Sequence, residues 1–348
     1  MSDSDCKLVL VVPGLCGPAS DAPFSACLDE HPLALEKLLA RARVEHGAAR
    51  DLDATVGDFF GLSAGAPGTL PVAPLTWLAD TGTPGAGYIM RVDPVHLRAD
   101  QSSLRLYDSR AFSIDPGEAQ ELAAAFNDLY QDRGWHLEVV APARWYLALS
   151  EPPVLETRSP NECAGRDINE LLPRGAHSRE WHALLNEVQM LFHAHPINTA
   201  RELRGEPLIN SIWPWGGGVL PDVVETSVAR VVTDHPLLMG LAQLAGIPRR
   251  DLPMDAAELA AGLVDGTHLV VIDALAAAQQ YADAEAWATG LMQLETAWFR
   301  PLLEMVGAGR IGQLELYPVN GRRYCVSRRL MRRFWRRPRS LAEQCRHD

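Results

Sequence analysis

Apolar and polar positions along this chain fall into blocks whose period changes several times. Residues 7–12 (Lys-Leu-Val-Leu-Val-Val) form a short continuous apolar run, rich in β-branched side chains and closed by Pro13-Gly14. Such a run reads as a buried strand of parallel type that feeds a loop. In residues 33–42 the apolar positions are Leu33, Leu35, Leu38, Leu39 and Ala42, the spacing of a helix with one face on a core. Residues 61–86 are rich in Gly, Pro, Ala and Thr and predict a long loop or domain crossing. Strand-like pieces follow at 88–92, 104–107, 137–140 and 145–149. Between the second and third of these, Asp115-Pro116-Gly117-Glu118 offers a capping carboxylate and a proline at the first helical position. Leu122, Ala125, Phe126 and Leu129 then line one helical face. Hairpin, helix and hairpin together make an α+β unit.

In the second half, Trp181, Leu184, Leu185, Val188, Leu191 and Phe192 predict a helix from Ser178 that Pro196 ends. Trp213-Pro214-Trp215 followed by Gly216, Gly217 and Gly218 predicts a rigid turn and then a flexible one. Helices at 237–245 and 256–263, a strand at 268–272, a helix from 283 to 305 and a strand at 314–317 complete the pattern. Strand–helix units at both ends of an α+β insert argue for a doubly wound α/β core interrupted by a cap. The expected divisions are 1–80 and 206–321 for the two halves of the core. The insert takes 81–205, and an arginine-rich C-terminal segment takes 322–348.

Composition narrows the class. The 348 residues are 47% hydrophobic and 22% charged, which excludes wholesale disorder, a collagenous chain and a coiled coil. No apolar stretch nears the ~18–20 residues that cross a bilayer, and Asp3 and Asp5 stand where a signal peptide carries positive charge. A cytoplasmic protein without a membrane span is expected. Six cysteines without a CxxC pair predict free thiols rather than disulfides or zinc. His193 and His195, two apart on a helix, project away from each other and predict helix-terminal roles rather than a metal site. There is no Gly-x-Ser-x-Gly, and Gly14-Leu-Cys-Gly17 lacks P-loop spacing and its lysine, so neither a hydrolase triad nor a nucleotide-binding loop is indicated.

The net charge is −12, yet residues 322–339 hold nine arginines and no acid. Leu330/Phe334 and Met331/Trp335 are i,i+4 pairs, so the segment predicts a docked helix whose arginines neutralise the acidic body. Nucleic acid, anionic lipid and an acidic protein are the competing partners for such a run. Nucleic acid is not the expected one, because the body would repel a polyanion beyond the patch.

Two segments go further than fold class. His195-Pro-Ile-Asn198-Thr-Ala-Arg201, followed by Gly205-Glu-Pro-Leu-Ile-Asn210 and on to Gly216, resembles a stretch of the archaeal-type 2,3-bisphosphoglycerate-independent phosphoglycerate mutases. Leu269–Asp273 through Pro301–Glu304 looks like that family's strand, metal loop and long helix, and residues 87–149 are similar to its inserted domain. The whole sequence looks like a bacterial group labelled either as such mutases or as RpfE-type regulatory proteins. The resemblance implies an alkaline-phosphatase-like doubly wound core with an inserted α+β domain. It also implies two divalent metals held by Asp and His, and a phosphorylated serine or threonine. Phosphoryl transfer needs those cations to neutralise a polyanionic group while a hydroxyl is activated.

The positions that should carry this chemistry do not. Pro13 stands where the first carboxylate belongs, and Leu52 where the nucleophile would be, with Thr55 the nearest hydroxyl. Ala and Gln fill 274–281, and Val319-Asn320 replaces an Asp-His pair. A metal-free, non-catalytic relative without a cofactor is expected, with a regulatory or metabolite-sensing role. Its small phosphorylated or carboxylated ligand would sit between core and insert on Arg91, Asn198, Arg201 and Asn210. Backbone N–H groups of Gly216 and Gly217 would add to that site, and a regulatory protein is a further candidate partner. Read structurally, the same polar residues form a network and the glycines a hinge. The alternatives are an active mutase or phosphatase with a rearranged site using Mn²⁺ or Mg²⁺, and a nucleic-acid-associated regulator acting through the arginine-rich end.

Overall fold

A computed structural model describes residues 5–17, 28, 30–48, 50–62, 70–100 and 103–345. The chain forms two compact units, 1–60 with 225–348, and 61–224. In chain order the first unit opens with β1 (Cys6–Val11), α1 (Leu33–Arg41), β2 (Arg43–His46) and α2 (Leu52–Asp58). The second unit holds α3 (Val72–Thr81), β3 (Tyr88–Asp100), β4 (Ser103–Tyr107), α4 (Pro116–Tyr130), β5 (His136–Ala141) and β6 (Arg144–Leu149). It continues through α5 (Pro160–Cys163), α6 (Ser178–His193), α7 (Pro196–Leu203) and β7 (Ser211–Gly218). The chain then returns to the first unit with β8 (Val228–Val232), α8 (Pro236–Leu244), β9 (Arg249–Arg250), α9 (Ala256–Ala260) and β10 (Gly266–Val271). It ends in α10 (Ala276–Gln280), α11 (Ala284–Leu294), α12 (Arg300–Ala308), β11 (Gln313–Tyr317), β12 (Arg322–Ser327), α13 (Arg328–Met331) and α14 (Leu341–Cys345).

The first unit is built on a seven-stranded sheet in the order β2-β12-β11-β1-β10-β8-β9. From β11 to β9 the pairing is parallel, and β12 and β2 add an antiparallel edge. This is the mixed α/β class that the sequence pattern predicts. In β1 the side chains of Leu8 and Leu10 join a core with Leu35, Leu38, Trp287, Phe299 and Leu302. Val9 and Val11 point the other way and are equally buried, so both faces of the strand are covered, as parallel sheets require. The second unit has a five-stranded sheet in which β3 is the long central strand. Its core gathers Val92, Leu122, Phe126, Trp145, Trp181, Leu184 and Phe192 from the sheet, α4 and α6.

Several expectations need correction. Part of the predicted loop at 61–86 is α3; Pro74 sits in its first turn, where backbone N–H groups have no intrahelical acceptor and a missing donor costs nothing. The predicted turn at 213–218 is strand β7, which pairs with β3 from Ile89 to Val95. Pro214 is tolerated because β7 is an edge strand bonded to β3 alone among the described residues. The two compact units meet along the chain at Phe60/Gly61 and Val224/Glu225. The single helix predicted at 283–305 is α11 and α12 joined by a π-helical turn, Glu295–Phe299. Pro301 cannot donate to the preceding turn, and the wider turn accommodates that loss.

At the C-terminal end the expected separate segment starts inside the core, since Arg322–Ser327 is β12. The expected docked helix ends at Met331, so neither i,i+4 pair forms and Phe334 and Trp335 stay exposed. Two of the thiols expected to be free are paired: Cys16 and Cys345 form a disulfide across 329 residues, with Cα atoms 5.6 Å apart. Cys6, Cys163 and Cys325 are buried and form no disulfide among the described residues, and Cys27 lies outside them. Among the described residues no helix is long and apolar enough to cross a membrane.

Candidate functional site

In open α/β sheets ligands bind beyond the carboxyl ends of the parallel strands. Here that edge is formed by the loops after β1, β10 and β11, where the resemblance places metal ligands. The loop after β1 turns through Pro13 and Gly14, and Gly14 adopts φ +81°. A Cβ on Gly14 would lie 2.8 Å from the Leu275 carbonyl oxygen, so the loops after β1 and β10 are in direct contact. The Gly14 carbonyl accepts from the Trp287 indole N–H at 2.8 Å. After β11, Val319 sits at φ +65°, strained for a β-branched side chain, and Asn320 Nδ2 points to Cys16 Sγ at 3.4 Å. No three His, Cys, Asp or Glu side chains among the described residues gather so as to hold a metal ion. The described residues of these loops offer no side-chain set that fits a binuclear centre.

Beside them, where β2, β11 and β12 meet α2, lies a cavity of about 440 Å³, within the range of small-molecule sites. Its walls include His46, Arg50, Thr55, Tyr317, Arg322 and Arg323. Among the described residues Glu45 and Asp58 are the carboxylates of its lining, so three guanidinium groups face two acids. Arg50 donates to Asp58 at 2.6 Å, and Arg323 pairs with Glu45 while donating to the Tyr317 hydroxyl at 3.2 Å. Tyr317 in turn donates to Glu315 at 3.2 Å; burial, reinforced by that carboxylate, raises the phenol pKa well above its ordinary value. Thr55 donates to the Asp51 carbonyl at 2.7 Å, and the Asp51 side chain caps α2 by accepting from Ala54 N–H. At the end of β8, His235 Nε2 stands 4.0 Å from Asp53.

None of the six site residues named from the sequence lies in this cavity; all belong to the second unit. Arg91 is buried between the rings of Tyr146 and Trp215 and forms a two-pronged ion pair with Asp93. Burial pushes the Asp93 carboxyl up, against the pull of Arg91 and the Trp215 indole. Asn198 donates to the carbonyls of Phe192 and Ile209 and accepts from Ile209 N–H, tying α6, α7 and the start of β7 together. Arg201 donates to Glu118, Ser113 O and Pro207 O, and Asn210 exchanges both backbone bonds of Leu97. A Cβ on Gly216 would approach Val72 to 3.0 Å, and one on Gly217 would collide with the Tyr88 phenol. These side chains are committed to the framework of their own unit. His195 caps α7 by accepting from Ile197 N–H at 3.3 Å, while His193 ends α6.

Sequence reasoning missed His46, Arg50, Tyr317 and the roles of Arg322 and Arg323. A usable signal was present: Asn320-Gly321 between an apolar strand and Arg-Tyr-Cys-Val is a strong hairpin mark. It would have moved the first two arginines from a tail onto a strand.

No family model matches the chain. Curated relatives include the 2,3-bisphosphoglycerate-independent phosphoglycerate mutases of Methanosarcina mazei, 29% identical over 97 residues, and Methanosarcina barkeri, 31% over 98 residues. The chain is a weak homologue of these archaeal mutases. Each match covers 26% of this chain and 24% of the relative, so the chain spans about a quarter of the length of the curated relatives it matches. Among solved structures it is similar to the cofactor-independent phosphoglycerate mutase of Thermoplasma acidophilum, with TM-score 0.41, 17% identity and coverage of 92% and 89% of the two chains. It is also similar to the PH0037 protein of Pyrococcus horikoshii, with TM-score 0.49, 12% identity and coverage of 94% and 88%.

Proposed function

We propose that this chain is a divergent, metal-free relative of cofactor-independent phosphoglycerate mutase that binds a small phosphorylated or carboxylated metabolite without turning it over. The alkaline-phosphatase-like core implied by the resemblance would then serve a regulatory role in the cytoplasm, of the kind the RpfE-type label describes. The observation that carries this reading is the 440 Å³ cavity at the carboxyl edge of the core sheet, with Arg50, Arg322, Arg323 and His46 on its walls. Arginine forks suit phosphate and carboxylate oxygens, and the net positive lining favours an anion. Loops that would have to carry cations are instead packed through Gly14, Leu275 and Trp287.

Calorimetry with 3-phosphoglycerate, 2-phosphoglycerate and glycerate tests it on metal-free protein. Binding of the phosphorylated acids is expected, weakened about tenfold when His46→Ala and Arg50→Ala remove two cavity walls. No binding by the intact protein would sink the reading. The second reading, an active enzyme, draws on Thr55 lining the same cavity. It requires turnover with Mn²⁺ or Mg²⁺ that Thr55→Ala abolishes.

A further inference from the structure

Residues 332–340 link α13 to α14 without regular structure, and they present an aromatic pair to solvent. Phe334 is 78% and Trp335 67% exposed, and their rings meet edge to face with centroids 5.3 Å apart. Of the predicted stripe only Met331 reaches the core, because α13 stops there. Around the pair, the guanidinium groups of Arg329, Arg332, Arg333, Arg337 and Arg339 make no hydrogen bond or ion pair with any described residue. Arg336 is anchored, donating to the Ala42 carbonyl at 3.0 Å. Trp335, Arg336, Arg337, Arg339 and Arg322 line a groove of about 640 Å³ in which Glu343 is the one carboxylate among the described residues. Among the described residues the two rings stack only on each other, and Arg329, Arg332, Arg333, Arg337 and Arg339 have no partner.

We infer that the 328–339 segment is a docking surface for single-stranded nucleic acid, with unpaired bases stacking on Trp335 and Phe334 and phosphates held by the surrounding arginines. Base–aromatic stacking needs open ring faces and tolerates any sequence, while guanidinium forks match phosphate oxygens. A duplex hides its ring faces and could use only the charge. A bilayer favours a longer apolar face than two rings set among arginines, and an acidic peptide offers charge but few planar groups. The net charge of −12 repels a long polyanion outside the patch, so the footprint is short.

Fluorescence anisotropy of a labelled oligothymidylate against the full chain tests this. The expected result is micromolar binding at roughly 50 mM salt, weakening with a log–log slope of about −2 to −3 for three or four phosphates. Phe334→Ala with Trp335→Ala should weaken it by about tenfold or more, and Arg337→Glu with Arg339→Glu should abolish it. All four side chains are exposed, so an unchanged thermal midpoint will show that the variants fold. Absence of binding overturns the proposal, as does affinity that survives loss of both rings. Binding to phosphatidylserine vesicles or an oligoglutamate peptide, with none to the oligonucleotide, would assign the surface to a lipid or an acidic protein and also overturn it.

Discussion

The guanidinium of Arg91 grips both carboxylate oxygens of Asp93, with Nε and Nη2 each 2.7 Å from its partner oxygen. The Trp215 indole N–H adds a third donor at 2.7 Å, and the Trp145 backbone N–H a fourth at 3.4 Å. The pair is buried and bridges β3, β6 and β7, so its first role is to fix the register of the second unit's sheet.

Removing one partner of a buried, fully bonded pair leaves an uncompensated charge. Arg91→Ala should therefore lower stability in urea by about 3–5 kcal/mol. Arg91→Lys should fall between, because a point charge cannot reproduce the fork or its contact with two rings. Unchanged stability together with weakened metabolite binding would return Arg91 to the ligand role expected from the sequence.

A second buried carboxylate does the work of a helix cap. Pro32 precedes α1 and supplies no side-chain acceptor; Glu295, fully buried in the π-helical turn, accepts from Ala34 N–H at 2.8 Å and Leu35 N–H at 3.1 Å. Its charge also sits at the positive end of the α1 dipole. Glu295→Ala should cost about 2–3 kcal/mol in chemical denaturation, and Glu295→Gln less, since one amide oxygen still accepts. Equal losses for both would point to packing rather than to the cap.

How much of this was legible follows from the kind of signal each element carries. β1 and α4 were plain, one as an unbroken β-branched run and the other by Asp115-Pro116 and its apolar face. α3 and β7 were hidden because Pro74, Pro214 and the glycines after Trp215 are breakers in general, yet are harmless in a first helical turn and on a sheet edge. The residue types at the positions where the resemblance places metal ligands, Pro13 and Val319-Asn320 among them, stand in the sequence itself. The cavity could not be read there, because Arg50, Tyr317 and Arg323 are brought together by the antiparallel edge strands β2 and β12, far apart in the chain.

Two buried histidines should make stability fall in mild acid. Burial lowers the pKa of His268, with Arg230 adding to it, and burial lowers that of His96 with smaller pushes from Arg98 and Arg201. A histidine whose folded pKa lies below the unfolded value binds its proton more readily when unfolded. Its contribution is present above the unfolded pKa of about 6.5 and is lost as pH falls below it. The thermal midpoint should drop between pH 7.5 and 5.5, and His268→Asn should flatten that slope while lowering the midpoint at pH 7.5. A slope that the substitution leaves untouched would move the effect to other groups.

The Cys16–Cys345 bond joins the loop after β1 to the last helix, closing 329 residues of chain. Closing so long a loop restricts the unfolded state strongly, so Cys345→Ser should lower stability by about 3–5 kcal/mol, and dithiothreitol should do the same to the intact protein. The reagent should then have no further effect on the variant, because both remove the same link. α14 should stay docked in part even so: Gln344 O accepts from Arg322 at 2.9 Å and Tyr324 at 3.1 Å, and Leu341 N–H donates to Glu36 at 3.0 Å. Thiol titration of the denatured, unreduced protein gives the direct reading. Of the five described cysteines, Cys6, Cys163 and Cys325 should react and the bonded pair should not. Reaction at Cys16 and Cys345 as well, with a midpoint indifferent to dithiothreitol, would mean that the pair stays reduced and that α14 is held by its hydrogen bonds alone.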